Sequence, residues 1–196
     1  MPAVDTLAVA FNLQLRNPPP LAALIDTLDL HSLAYAVGSI GIVLEWRAYW
    51  LPGGRAFRRW SATGALFWAG QYFLLNAWTA GLNMAGTALR TLLSAYVTHG
   101  AGKHWTAAGF TLAFAAFTAF SWQGPISLAP GFATINTTVA LFYLDNRRMR
   151  IALLACSLAW IGNDLYWQAW PALLAESVAM LVNIRTIIGL YRQDSV

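Results

Sequence analysis

The sequence predicts an all-α polytopic membrane protein with seven transmembrane helices, arranged as two parallel three-helix repeats joined by a linker helix (3+1+3). Three observations support this: an apolar composition, an internal repeat and a one-sided distribution of basic residues. Hydrophobic residues make up 58% of the 196 positions and charged residues 10%, whereas soluble domains average about 25% charged. Because a transmembrane helix needs roughly 20 residues, the chain has room for about seven spans and for no sizeable soluble domain.

The repeat is visible in two segments that begin and end with tryptophan. Trp68-Ala-Gly-Gln-Tyr-Phe-Leu-Leu-Asn-Ala-Trp78 is echoed by Trp160-Ile-Gly-Asn-Asp-Leu-Tyr-Trp-Gln-Ala-Trp170 at a spacing of 92 residues (160 − 68). The ending Arg90-Thr-Leu-Leu-Ser-Ala-Tyr96 recurs as Arg185-Thr-Ile-Ile-Gly-Leu-Tyr191 at a spacing of 95 residues (185 − 90). A repeat of this length indicates a protein built from two related halves.

The first half of the chain divides into an extension and one repeat. Residues 1–30 contain the break Pro18–Pro20, and we predict an extracytoplasmic extension in which Leu21–Leu30 forms an amphipathic helix at the membrane surface. Residues 31–99 form the first repeat, with spans over about 31–43, 60–75 and 80–97. Arg55, Arg58 and Arg59 follow a Pro-Gly-Gly turn and are predicted to form a basic loop.

The second half consists of the linker span and the other repeat. Residues 104–122 contain the linker, which carries no charge from Trp105 onwards. Residues 126–192 form the second repeat, with spans over about 126–144, 151–167 and 171–190. Its basic loop is predicted at residues 145–150.

The basic residues indicate the orientation of the chain. With seven spans, the connections after spans one, three, five and seven lie on the same side of the membrane, and all 12 basic residues except Arg16 lie at or near that side. The positive-inside rule therefore places the amino terminus outside and the carboxyl terminus in the cytosol. Because each repeat has three spans, one extra span between them makes the two repeats point the same way.

Uncharged polar residues within the spans suggest a binding site. Trp68 and Gln71 on the second span correspond to Trp160 and Asn163 on the sixth, and within each pair the two side chains share a helix face. Such groups either line a cavity, where indole rings stack on a solute and amides bind it, or hold the helices together. With two asparagines of the third and seventh spans, predicted nearer mid-depth, the candidates for substrate binding are Trp68, Gln71, Asn83, Trp160, Asn163 and Asn183.

Four charged residues within the spans need a reason, since each costs about 2.5–3.5 kcal/mol to insert. Asp164 and Glu176 are expected at similar depth on adjacent helices. They serve either proton coupling or cation binding, or are wetted residues near the outer surface. Arg90 and Arg185 lie in the inner halves of equivalent spans. They either extend to lipid phosphates or act inside the protein.

Several classes of protein are excluded. Cys156 is the only cysteine, no His or Cys residues have metal-ligand spacing, and no phosphate-binding loop is present. The only lysine, Lys103, is in a predicted loop, so no span offers a lysine for retinal. No nucleophile lies beside a base, so we predict no enzyme, cofactor or metal. The net charge of +4 is explained by membrane topology and not by nucleic-acid binding.

The two repeated segments also resemble a known family. The run Gly70–Ala80 leading to Arg90, and the run from Trp160 through Glu176 to Tyr191, are similar to the YgjV-type bacterial inner membrane proteins, which are grouped with the MtN3/PQ-loop superfamily of SWEET-like transporters. The resemblance covers about residues 31–192. It implies a SWEET-like 3+1+3 fold, a bacterial inner membrane location and transport of small solutes.

Two functions follow from these observations. The first is a small-solute transporter or facilitator that works by alternating access between the two three-helix bundles, with the lipid bilayer and a small polar solute as its partners. The alternative is a multi-pass scaffold or accessory protein that transports nothing. Formation of a homo-oligomer stays open under both.

Overall fold

Seven α-helices make up most of the chain that the computed structural model describes, which comprises residues 21–50, 54–94, 96 and 101–193. A 3-10 turn, Pro125–Ser127, precedes the fifth helix. The predicted break at Pro18–Pro20, the Pro52-Gly53 turn and the loop at His99 lie outside the described residues. The helices are α1 (Leu21–Tyr49), α2 (Gly54–Leu74), α3 (Trp78–Leu93), α4 (Ala101–Phe120), α5 (Leu128–Tyr143), α6 (Asn146–Trp167) and α7 (Trp170–Gln193).

Four helices begin at least three residues earlier than the sequence analysis predicts, and one of them, α4, begins at Ala101, so Lys103 lies within a helix and not in a loop. Residues 21–30 are the first part of α1 and not a separate surface helix, because this stretch is rich in Leu and Ala and contains no Pro or Gly to end it. Arg58 and Arg59 lie within α2 and not in a loop. The second predicted basic loop is also helical from Asn146 onwards, and Asp145 caps this helix by accepting a hydrogen bond from the Arg148 backbone N–H.

The helices pack as a ring of six with one helix beside it. In the ring, α1 contacts α2, α2 contacts α3, α5 contacts α6 and α6 contacts α7. Contacts of α3 with α5 and of α7 with α1 close the ring. Helix α4 packs against α3 and α5. It presents Trp105, Leu112 and Phe120 to the outside, with exposures of 79%, 71% and 91%.

The turn between α2 and α3 is built in the same way as the turn between α6 and α7. Asn76 and Gln168, 92 residues apart (168 − 76), are the two described non-glycine residues with positive φ, at 61° and 54°. The following N–H of Ala77 donates to the Tyr72 carbonyl and that of Ala169 to the Asp164 carbonyl, each at 2.8 Å. We call the end of the bundle with these two turns the hairpin end, and the opposite end, where α6 begins, the basic end.

Burial in this bundle is the reverse of that in a soluble protein. Buried positions are mostly alanine, serine, threonine, asparagine and glutamine, whereas large apolar side chains such as Val43, Leu158 and Leu181 are more than 60% exposed. Small residues let membrane helices approach closely, and exposed apolar side chains match lipid. The pattern is consistent with a polytopic membrane protein.

Two of the described segments are long and apolar enough to cross a membrane by composition alone. They are Pro125–Tyr143, with a mean hydropathy of 1.2, and Trp170–Gly189, with a mean hydropathy of 1.5. Among the other helices, α3 has only 16 residues, and α2 and α6 begin with arginines that lower their hydropathy.

Candidate functional site

The contact at the middle of the ring joins two equivalent positions of the repeat. The Tyr72 hydroxyl of α2 donates a hydrogen bond of 2.6 Å to Asp164 Oδ1 of α6, across 92 residues of sequence. Both residues are 1% exposed. The pair is therefore a direct contact between the two segments that repeat in the sequence.

Aromatic rings surround this contact on one side. The Trp160 indole stacks on the Tyr72 ring, with centroids 5.7 Å apart and planes 21° apart. Its counterpart Trp68 packs its indole against Gly41 of α1, where a Cβ would overlap the ring. The structure thus brings Trp160 into the central contact and places Trp68 between α1 and α2.

Both amides of the predicted stripe are buried, Gln71 against Gly38 of α1 and Asn163 beside Asp164, and most of their polar atoms have no partner. Gln71 is 0% and Asn163 is 1% exposed. Asn163 Nδ2 donates to Asp164 Oδ1 at 3.3 Å, but Asn163 Oδ1, both amide atoms of Gln71 and Trp68 Nε1 have no hydrogen-bond partner among the described residues. A buried unpaired polar atom costs about 1–3 kcal/mol, so four of them together need an explanation.

The remaining predicted acid, Glu176, lies near this cluster without contacting Asp164 through a hydrogen bond. Glu176 lies on α7, which packs against α6, and it interacts electrostatically with Asp164 and Tyr72. It also interacts electrostatically with Glu45 of α1, which accepts hydrogen bonds of 3.1 and 3.0 Å from Ser61 of α2.

Sequence reasoning missed Glu45, although one signal was available. Gly38, Gly41 and Glu45 lie on one face of α1 at positions i, i+3 and i+7. The two glycines leave room for the Gln71 and Trp68 side chains. A face of two glycines followed by an acid points to the interior of a bundle and not to its lipid-facing surface.

Asn83 belongs to a different polar cluster, between α3, α4 and α5. Its Nδ2 donates to the Thr79 carbonyl at 2.8 Å and to Thr118 Oγ1 at 3.4 Å, and its Oδ1 accepts from Thr134 Oγ1 at 2.8 Å. None of its bonds goes to Gln71 or Asn163. These contacts are those of a residue that joins helices.

Arg90 and Arg185 have different surroundings despite their equivalent places in the repeat. Arg90 is 5% exposed, its Nη1 donates to the Thr134 carbonyl at 3.1 Å and to Thr138 Oγ1 at 2.7 Å, and its guanidinium lies 5.5 Å from the centre of the Phe114 ring. Arg185 is exposed. Of the two interpretations left open by the sequence, Arg90 fits the internal one.

Asn183 lies at the basic end and not near mid-depth. Its Nδ2 donates to the Arg150 carbonyl at 2.9 Å, and its Oδ1 accepts from Arg150 Nη1 at 3.2 Å. Arg150 is about one turn from the start of α6. The structure therefore does not bring Asn183 together with Asn83 or with the central contact.

Concave surface is found at the periphery of the described residues. One open pocket of about 360 Å³ is lined by side chains of α3 and the end of α4, including Trp78, Phe120 and Gln123. Another, of about 270 Å³, is lined by Val43, Trp46, Arg47 and Trp50. Neither is lined by residues of the central contact.

Known proteins resemble this chain over most of its length. The family model described as a bacterial inner membrane protein, Imp-YgjV, matches residues 32–194. The inner membrane protein YgjV of Escherichia coli (strain K12) is 24% identical over 162 residues, which cover 83% of this chain and 86% of that protein. No solved structure matches. The match to the family model spans well over half of the sequence, and the chain belongs to the Imp-YgjV family of bacterial inner membrane proteins.

Proposed function

We propose that this inner membrane protein moves a small polar solute across the membrane by alternating access between two three-helix bundles, α1–α3 and α5–α7. In this proposal α4 is the linker span, and the two bundles are the parallel repeats of a 3+1+3 arrangement. The observation that supports it is the set of buried, unpartnered polar atoms on Trp68, Gln71 and Asn163.

These atoms have the chemistry of a binding site for a polar molecule. Trp68 Nε1 is a donor, the Gln71 amide provides a donor and an acceptor, and Asn163 Oδ1 is an acceptor. A solute with hydroxyl or amide groups would pair with all of them, and the Trp160 ring offers a stacking surface. Asn83 and Asn183, whose hydrogen bonds join helices, are assigned structural roles.

The two bundles must move relative to each other, because side chains of the protein fill the space between them. The Tyr72 ring, its bond to Asp164 and the Trp160 stack occupy the space between α2 and α6. Access to Gln71 and Asn163 therefore requires the two halves to separate on one side at a time, as in transporters built from repeats.

The proposed orientation puts the basic end in the cytosol. The first turns of α2, α4 and α6 carry Arg58, Lys103 and Arg147 at this end, and the positive-inside rule then places the hairpin end and the amino terminus outside. Fusions of a periplasmic reporter enzyme and of a cytosolic fluorescent protein at Gln168 and at the carboxyl terminus test this. Fluorescence from the Gln168 fusion would reverse the topology.

Uptake into proteoliposomes tests the transport proposal. Purified protein is offered labelled neutral polar solutes, such as sugars, polyols and nucleosides, with and without an imposed proton gradient. We expect uptake of at least one class, lost in Asn163→Ala and kept in Asn183→Ala, a control amide that bonds to Arg150 at the basic end. Absence of uptake for every class would refute the proposal.

The alternative is a scaffold that transports nothing, and one observation favours it. The central contact is filled by side chains of the protein itself, and the pockets described above lie at the surface. A scaffold predicts no uptake together with unchanged stability of the bilayer-embedded protein in the presence of every solute offered.

A further inference from the structure

Three of the four acidic side chains that the structure describes lie where α1 and α2 meet α6 and α7. These are Glu45, Asp164 and Glu176, whereas Asp145 is exposed at the start of α6. Glu176 lies on α7, which packs against both α6, where Asp164 lies, and α1, where Glu45 lies, and it interacts electrostatically with both acids. The acids therefore form a series along three successive helices of the ring, α6, α7 and α1.

Two of the three acids are bonded to hydroxyl groups on α2. Asp164 accepts from Tyr72 at 2.6 Å, and Glu45 accepts from Ser61 at 3.0 and 3.1 Å. A hydroxyl can donate to a carboxylate and accept from a carboxylic acid. These pairs therefore persist whether or not the acid carries a proton.

The charges around the series favour a proton over a metal ion as the species it serves. The other titratable groups facing it are Tyr72 on α2 and Cys156 on α6. Arg90 interacts with Cys156, but its hydrogen bonds go to Thr134 and Thr138. Among the described residues, no group of three His, Cys, Asp or Glu side chains could hold a metal ion.

A buried acceptor without a donor lies at the first acid. The Asn163 amide donates to Asp164, while its Oδ1, in a side chain 1% exposed, has no partner among the described residues. This oxygen would accept a hydrogen bond from a water or hydronium that brings a proton to Asp164. It is an observation independent of the acids themselves.

We propose that Asp164, Glu176 and Glu45 form a proton relay through the protein, which rests on the proposed transport function and names the gradient that drives it. Asp164 is about one turn from the hairpin end of α6, Glu176 about two turns into α7, and Glu45 about one turn from the basic end of α1. A proton on Asp164 passes to the Glu176 carboxylate and leaves Asp164 ionised. The same proton then passes to Glu45 and leaves Glu176 ionised. No hydrogen bond joins two of these acids directly, so each transfer uses a bridging hydroxyl or water.

Infrared difference spectroscopy of the full protein in liposomes tests the relay without any knowledge of the solute. Spectra recorded at two pH values report the carboxylic C=O stretch of each acid that gains a proton. We expect one band to be lost in each of Asp164→Asn, Glu176→Gln and Glu45→Gln, and none in Asp145→Asn, where Asn still caps α6. In Glu176→Gln the midpoints of the other two bands should shift, because a titrating neighbour is removed.

Proton flux provides the second measurement. Liposomes with an internal pH-sensitive dye and an imposed potassium diffusion potential should acidify with the wild-type protein and with Asp145→Asn, and at least tenfold more slowly with each relay variant. Each variant is first compared with the wild type for monodispersity and thermal stability, and for any that fails to fold the serine variant at the same position, which has a hydroxyl but no carboxyl, replaces it.

The outcomes separate this inference from the proposed function. The relay would be overturned if each variant loses its own band but the remaining bands titrate at the same pH with and without Glu176. A wild-type spectrum with no titrating carboxyl band would also overturn it. Solute uptake that proceeds at the same rate in Glu45→Gln, with or without a pH gradient, would also overturn the relay and leave transport intact. Titrating, coupled bands with no uptake of any solute would keep the relay and reject solute transport.

Discussion

Two polar contacts join the halves of this protein, and they satisfy their polar groups in opposite ways. Between α3, α4 and α5, Asn83 makes three side-chain hydrogen bonds and Arg90 makes two, and Thr87 Oγ1 is the one unpaired buried side-chain atom on α3 among the described residues. Around the bond between Tyr72 of α2 and Asp164 of α6, Gln71, packed against Gly38 of α1, makes none with its side chain and Asn163 makes one.

The difference separates residues that hold helices together from residues that are available to bind something else. Polar side chains in membrane bundles commonly add modest stability by bonding across helices, and Asn83 and Arg90 do this. Unpaired amides in the same environment reduce stability. We therefore expect mutations at the first contact to act on folding and mutations at the second to act on function.

The largest effect on stability is expected for Arg90→Ala. It removes two hydrogen bonds from a charged donor, worth about 1.5 kcal/mol each, so the free energy of unfolding should fall by about 3 kcal/mol. Thermal melts in detergent measure this. Arg185→Ala, at the equivalent but exposed position, should change it by less than about 0.5 kcal/mol. Equal small losses would mean that Arg90 faces lipid.

Asn83→Ala compared with Asn163→Ala tests the difference between the contacts directly. The first removes three hydrogen bonds and should cost about 1–2 kcal/mol, within the range measured for polar contacts in membrane bundles. The second removes one long bond and an unpaired acceptor, so its net cost should be close to zero. A loss at Asn163 as large as that at Asn83 would show that both contacts are structural.

Gly38→Ala is expected to have a smaller effect that depends on Gln71. A methyl group at this position would overlap the Gln71 amide, and the displacement should cost about 1 kcal/mol. Adding Gln71→Ala should restore most of that stability, which a double-mutant cycle measures. If the two changes are additive, the amide does not pack on Gly38.

Gln71→Leu should have the smallest effect on stability and a large one on transport. It replaces two unpaired polar atoms with an apolar group of similar size, so the free energy of unfolding should stay within about 0.5 kcal/mol or increase. Uptake of the solute identified in the liposome screen should be lost. A stable variant that still transports would remove Gln71 from the binding site.

The sequence predicted seven spans, which match the seven helices of the described residues, and the two equivalent turns, but not which side chains meet. The repeat identifies Tyr72 and Asp164 as equivalent positions, but it does not indicate whether either lies where the two halves meet. Their contact is visible only from the packing of the helices. The position of Arg90 along the third span is, by itself, compatible with contact to lipid phosphates. The face it shares with Asn83, seven residues earlier, turns it towards α5 instead.

The spacing of the repeat is enough to separate Asn183 from Asn83. The two lie 100 residues apart (183 − 83), which matches neither the spacing of 92 nor that of 95. Residue type alone therefore pairs these asparagines, and it does not make their positions equivalent. Helix starts are also beyond the sequence pattern, because arginine favours helix as well as loops and periodicity fixes helix ends poorly.

The two hairpin turns determine the order in which the chain assembles. Each turn closes only a few residues between its helices, so the pairs α2–α3 and α6–α7 form at little entropic cost, whereas the bond between Tyr72 and Asp164 must wait for 92 further residues. The amino-terminal half is made first. Until α6 is made, the Tyr72 hydroxyl has no Asp164 carboxylate to bond. An unfinished or truncated chain thus leaves unpaired a polar group that the completed protein pairs and buries.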